Sequence, residues 1–171
     1  MGYFLQVLPI SILVGIIYWF IKLKKDKETS MSKKVFFCLF VCYITGLICL
    51  ILCLDLINEF WYRLVYHMNS GNSIHWFNGN YDFTLDFINN ISEENIGNFI
   101  MFLPFGILYP LSHSELKLKN IILNGIVFVL IIEILQPIFG RSFNINDIVL
   151  DSLGILISVN GFMIIKNIKK R

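Results

Sequence analysis

A few polar side chains interrupt apolar sequence in the second half of the chain. Glu133 and Gln136 lie three residues apart in IIEILQP and would share one face of a helix. Pro137 and Gly140 are expected to end or bend that helix just before Arg141. A carboxyl group suits proton transfer, whereas an amide and a guanidinium suit hydrogen bonding to sugar and phosphate groups. This segment therefore predicts either a binding site or an acid–base site.

Two neighbouring segments supply further polar groups. Asp147 and Asp151 are spaced i, i+4, and Asn98 lies one helical turn after Asn95. The predicted ligand-binding residues are Asn98, Glu133, Gln136, Arg141, Asp147 and Asp151, with Glu133 as the catalytic group if the protein is an enzyme. A structural interpretation stays open: Asp147 and Asn95 would be helix N-caps, and Glu133 and Arg141 one buried ion pair.

The elements that must position these residues are apolar helices. Hydrophobic residues make up 56% of the 171 residues and charged residues 15%, with a mean hydropathy of +0.70. This composition indicates a membrane protein. Five stretches are long enough to be transmembrane helices, although the third is the shortest: residues 3–23, 35–54, 95–111, 120–139 and 148–165. We expect an all-α polytopic bundle forming one membrane domain, residues 1–171. The first stretch lacks the features of a cleaved signal peptide and is expected to be retained.

The basic residues predict the orientation. Twelve of the fourteen lie in the first connection, the third connection and the C-terminal tail. With five spans, these three places share one side, which the positive-inside rule makes cytoplasmic. The prediction is a multi-pass plasma-membrane protein with its N-terminus outside, its C-terminus inside and all six candidate residues towards the outer side.

The outer loop between the second and third spans is expected to contain an amphipathic helix lying in the membrane interface. Its apolar residues recur at helical spacing: Leu56, Ile57, Phe60, Trp61, Leu64, Val65 and Met68. Residues 69–82 are rich in Asn, Gly and aromatic residues and are predicted to form a loop.

The cysteines invite a metal or disulfide interpretation that their spacing disfavours. Cys38, Cys42, Cys49 and Cys53 form one stripe on the second span, where i, i+4 neighbours cannot form an ordinary disulfide. A stripe of small residues that packs against another helix is favoured. We expect no metal, no cofactor and no nucleic-acid partner, since the basic residues flank apolar segments.

The order of motifs in the second half resembles the VanZ-like family. NIGNFIMFLPFGILYPL is similar to its N-x-x-x-F-x-P-x-G-type span, here Asn98, Phe102, Pro104 and Gly106. The E-x-x-Q, G-R and D-x-x-x-N-x-x-G elements correspond to Glu133 and Gln136, Gly140 and Arg141, and Asp147 and Gly154. Asp151 stands where the family usually has Asn. The resemblance covers a core of residues 95–165.

The resemblance implies a link to the teicoplanin resistance of Gram-positive bacteria and to glycopeptide or lipoglycopeptide susceptibility. The expected function is to bind, or alter access to, an outer-leaflet lipid-linked glycan or the antibiotic. Two alternatives stay open: a membrane-embedded enzyme that modifies such a lipid, and a small lipid or proton-coupled transporter. Membrane lipids, a lipid-linked cell-wall glycan or a lipoglycopeptide are the expected partners, and an oligomer is compatible with this small chain.

Overall fold

The computed structural model describes residues 2–71, 74–87 and 92–168, and about 75% of the chain is helical. Five helices are long and apolar enough to cross a membrane: Tyr3–Leu23, Met31–Ile51, Glu93–Ser112, Leu118–Phe139 and Ile145–Ile168. The predicted all-α polytopic membrane fold is confirmed, whereas its orientation stays a prediction.

The elements follow one another along the chain with short connections. Helix α1 spans Tyr3–Tyr18 and continues as a π-helical turn, Trp19–Leu23. Helices α2 and α3 span Met31–Ile51 and Leu54–Tyr66. After strand β1, Tyr81–Asp82, come α4, Glu93–Ser112, and α5, Leu118–Leu135. A 3₁₀ turn, Gln136–Phe139, and strand β2, Phe143–Asn144, precede α6, Ile145–Ile168.

Two helices in the second half start at polar caps that sequence reasoning did not choose. The Ser92 side chain accepts a hydrogen bond from the Asn95 backbone N–H (3.1 Å) at the start of α4. The Asn144 side chain accepts one from the Asn146 backbone N–H (2.9 Å) at the start of α6. The suggestion that Asn95 and Asp147 are N-caps is therefore wrong, because each lies inside the first turn of its helix.

The contacts divide the chain into two compact units. The first comprises Met1–Asn80 and Leu135–Ser142, and the second comprises Tyr81–Ile134 and Phe143–Arg171. The two are described separately below, and the single domain stays a prediction.

In the first unit, α1 and α2 pack through small residues. A Cβ on Gly15 would lie 2.1 Å from the Cys42 Sγ atom, and the Cys38 thiol donates a hydrogen bond to the Gly15 carbonyl oxygen (3.4 Å). Gly46 of α2 faces Ser11 of α1. The four cysteines are free thiols, and these contacts support the packing role predicted for their stripe.

Helix α3 is the amphipathic helix expected in the loop after α2, although its interfacial position stays a prediction. Ile57 is buried, whereas Phe60, Leu64 and Val65 are exposed. The helix ends at Tyr66, so Met68, assigned to its apolar stripe, lies beyond it. On the polar face, hydrogen bonds from Ser70 and then from Arg63 lower the pKa of Glu59 to about 2.

The second unit is held together by close helix approaches at glycine. A Cβ on Gly106 of α4 would lie 2.0 Å from the Ser158 Oγ atom of α6. A Cβ on Gly154 would lie 2.5 Å from the Phe99 carbonyl oxygen. Gly125 of α5 meets Ile155 in the same way. The buried apolar residues around these contacts include Phe102, Phe105, Val129, Ile132, Ile155 and Val159.

A two-residue parallel bridge joins the loop after α3 to the segment before α6. Tyr81 pairs with Phe143, and Asp82 pairs with Asn144. The prediction of loop for residues 69–82 is therefore wrong at its C-terminal end, because the partner strand lies about sixty residues away and gives no local signal.

Candidate functional site

Three carboxyl side chains are buried together in the second unit. Glu133, near the end of α5, is 1% exposed, and Asp147 and Asp151 on the first turns of α6 are 6% and 2% exposed. The Asp151 carboxyl group is close enough to Glu133 and Asp147 to interact with both electrostatically. Three of the six predicted residues thus come together, and we call them the acidic cluster. Burying acids within apolar helices costs several kcal/mol on most scales, about 2.5–3.5 kcal/mol for an Asp on insertion scales.

The Asp151 carboxyl group leaves an acceptor atom unused within the described part of the chain. Asp151 Oδ1 is buried and has no hydrogen-bond partner among the described residues. An unsatisfied buried acceptor costs about 1–3 kcal/mol. A hydroxyl, an amide N–H or an ammonium group that reached this oxygen would recover that energy. The acidic cluster can therefore act chemically as an acceptor for hydrogen-bond donors.

An Asp–Asn pair lies beside the acidic cluster in sequence and fixes the start of α6. Asn146 Nδ2 donates to Asp86 Oδ1 (2.7 Å), and the Asp86 backbone N–H donates to Asn146 Oδ1 (3.2 Å). Asn146 is fully buried next to Asp147. Sequence reasoning left Asn146 in a loop and gave Asp86 no role. The pair tethers the loop before α4 to α6, the helix that carries Asp147 and Asp151.

Gln136 and Arg141 belong to the first unit, where a tight turn positions them. Gly140 adopts a left-handed conformation (φ 81°), and the Arg141 backbone N–H donates to the Gln136 carbonyl oxygen (3.1 Å). This is a Schellman-type helix end, at the place where the sequence predicted that the helix ends or bends. Gln136 is buried, and Arg141 is partly buried with Nη1 donating to the Ile51 carbonyl oxygen at the end of α2 (3.4 Å).

The loop after α3 covers this turn. The Asn78 backbone N–H donates to the Pro137 carbonyl oxygen (2.8 Å), and its side-chain amide donates to the Gly140 carbonyl oxygen (3.3 Å). A Cβ on Gly140 would lie 2.1 Å from the His75 carbonyl oxygen, so only glycine fits there. The Arg141 backbone is therefore held by long-range as well as local contacts.

A second buried polar network in the first unit was missed. Gln6 Nε2 donates to Asn58 Oδ1 (3.0 Å), and Trp61 Nε1 donates to the Gln6 carbonyl oxygen (2.8 Å). Gln6 is buried, and its Oε1 atom has no hydrogen-bond partner among the described residues. A lone glutamine within the first apolar span was the available signal. The network ties α1 to α3.

Two further sequence predictions concern Asn98 and an ion pair between Glu133 and Arg141. Asn98 is partly buried on α4, next to Phe99, whose carbonyl oxygen faces Gly154 of α6. Glu133 and Arg141 fall in separately described units, so their pairing stays a prediction. Within the described residues, no group of three or more His, Cys, Asp and Glu side chains is arranged to hold a metal ion.

Five apolar helices and a buried acidic cluster define a polytopic membrane protein with ionisable groups inside its helical core. A family model described as VanZ/LLP1 matches residues 10–166, nearly the whole chain. The chain therefore belongs to the VanZ/LLP1 family, and the match extends well before the motifs in residues 95–165. No curated protein and no solved structure matches the chain.

Proposed function

We propose that this VanZ-like protein acts in the plasma membrane of a Gram-positive bacterium and lowers susceptibility to teicoplanin and related lipoglycopeptides. In this proposal it binds an outer-leaflet lipid-linked glycan, or the antibiotic itself, and changes the access of one to the other. The family membership and the predicted orientation support this role. The observation that carries it is the acidic cluster of Glu133, Asp147 and Asp151, buried within apolar helices.

The chemistry of the acidic cluster suits a ligand rich in hydrogen-bond donors. Carboxylate oxygens accept hydrogen bonds from hydroxyl, amide and ammonium groups, and such bonds are worth about 1.5–3 kcal/mol each. Glycans, peptides and glycopeptides all present these donors. Asp151 Oδ1 offers an acceptor that the described residues leave unused. Arg141 and Gln136, on their turn in the first unit, supply the donors expected to bind sugar or phosphate oxygens.

The proposal is tested by antibiotic susceptibility at equal membrane abundance. Glu133→Gln and Asp147→Asn each replace a carboxyl group by an amide with little change in shape, and we expect each to abolish most of the protection against teicoplanin. Asp55→Asn is the matched control, because Asp55 is exposed on α3 outside the acidic cluster, and it should leave protection intact. Full protection with both cluster variants would refute the proposal.

The second candidate is a membrane-embedded enzyme that modifies a lipid-linked envelope substrate. The burial of Glu133 beside two further carboxyl groups favours it, since general acids and bases commonly occupy such positions. Lipid extracts of cells with and without the protein separate the two candidates. A binder leaves the lipid structures unchanged, whereas an enzyme produces a chemically altered lipid that disappears with Glu133→Gln.

A further inference from the structure

The second unit contains an apolar groove at the opposite end of its helices from the acidic cluster. The groove has a volume of about 390 Å³ and lies between the C-terminal ends of α4 and α6. Its lining residues are Pro110, Leu111, Ser114, Phe162, Ile165 and Lys166. Small-molecule sites commonly have volumes of about 300–1,000 Å³. The groove is therefore large enough to hold part of a ligand.

The depth of the groove follows from the length of α6. Lys166 lies 21 residues after Ile145, where α6 begins, which corresponds to a rise of about 31 Å. The hydrocarbon core of a bilayer is about 30 Å thick. With Ile145 at one membrane surface, the apolar walls of the groove would lie in the hydrocarbon and Lys166 at the level of the lipid headgroups. An occupant of this groove has an apolar chain and a polar group placed next to it.

The positive charge at the groove indicates that the polar group of its occupant is anionic. Among the described lining residues, Lys166 is the one charged side chain, and it is partly exposed beside apolar walls. Lys117 and Lys119, in the connection that follows α4 and at the start of α5, add positive charge on the same membrane face. Basic pockets between transmembrane helices on such a face bind anionic lipid headgroups.

We propose that this groove is a binding site for an anionic phospholipid. The lipid belongs to the membrane leaflet on the lysine-rich side of the protein. One acyl chain lies along Leu111, Phe162 and Ile165, and the phosphate accepts a hydrogen bond from the Lys166 ammonium group. This site is separate from the acidic cluster and does not depend on the function proposed for it.

Native mass spectrometry of the full-length protein in detergent tests the site, with dioleoyl-phosphatidylglycerol and dioleoyl-phosphatidylcholine as probes. We expect the wild-type chain to retain one phosphatidylglycerol molecule in preference to phosphatidylcholine. Lys166→Gln should reduce that preference about fivefold, since one lysine near the membrane surface contributes about 1 kcal/mol. Lys119→Gln is the matched control and should reduce it less, because Lys119 does not line the groove.

A second pair of variants tests the apolar walls without touching the charge. Ile165→Trp places a larger side chain in the groove and should lower the binding of both lipids, whereas Ile164→Trp, on the next residue outside the lining, should not. Both positions are more than half exposed, so little internal packing is lost. Equal retention of the two lipids by the wild type, or loss of binding in Ile164→Trp but not in Ile165→Trp, would overturn the proposal. So would a groove occupied by a second copy of the chain, seen as a dimer that Ile165→Trp dissociates.

Discussion

At the scale of single residues, the burial of Asp151 is costly for folding. Asp151 is buried near two other carboxyl groups, and its Oδ1 atom has no hydrogen bond within the described chain. Removing an ionisable group from water is costly, and a buried acceptor without a hydrogen bond adds its own cost. Groups that destabilise a protein in this way are typically kept for function. The cost at Asp151 supports the proposal that the acidic cluster binds a ligand.

This explanation predicts that Asp151→Asn stabilises the protein. Asparagine keeps the shape of the side chain and removes a buried ionisable group beside two other carboxyl groups, so the free energy of unfolding should rise by about 1 kcal/mol, a shift of roughly 2–4 °C in Tm. Thermal unfolding of the purified protein in detergent measures the shift. Asp55→Asn, on an exposed residue, should change Tm little. A lower Tm for Asp151→Asn would mean that the Asp151 carboxylate makes a favourable interaction instead.

At the scale of secondary-structure elements, the turn after α5 accepts only glycine at position 140. Gly140 is needed for two separate reasons, a positive φ and the close approach of the His75 carbonyl oxygen. The sequence predicted that the helix ends or bends at Pro137 and Gly140, which agrees with the first reason. It could not predict the second, because His75 lies 65 residues earlier in a loop without a periodic pattern. The Asn146–Asp86 and Gln6–Asn58 hydrogen bonds were missed for the same reason, because their partners are 60 and 52 residues apart in the sequence.

The two reasons can be separated by comparing two glycines. Gly71 also has a positive φ (79°), but no described atom lies within 4 Å of the position that a Cβ would occupy there. Gly71→Ala should therefore cost only the backbone strain, about 1–2 kcal/mol. Gly140→Ala should cost about 2–4 kcal/mol, because displacement of the His75 backbone adds to the strain. Unfolding by SDS in mixed micelles measures both, and equal costs would show that the loop does not hold the turn.

At the scale of the whole molecule, hydropathy was sufficient for the membrane fold, and the five spans match the structure to within a few residues at most ends. The largest error at the start of a span in the second half was at α6, which begins at Ile145 rather than at residue 148. The cause is the Asn144 cap, which starts the helix earlier than the apolar run suggests. The candidate site was predictable where it depends on helical spacing, as for Asp147 and Asp151. It was not predictable where it depends on which segments pack together.

The central claim is that the acidic cluster binds an outer-leaflet ligand, and direct binding tests it. The purified chain in lipid nanodiscs would be titrated with teicoplanin and, separately, with a lipid-linked cell-wall disaccharide. We predict saturable binding of at least one of them, with Kd raised at least about tenfold by Glu133→Gln or Asp147→Asn, since a hydrogen bond to a charged group is worth about 1.5–3 kcal/mol. Asp55→Asn should bind like the wild type. Absence of saturable binding to both ligands, or unchanged binding in both cluster variants, would contradict the claim.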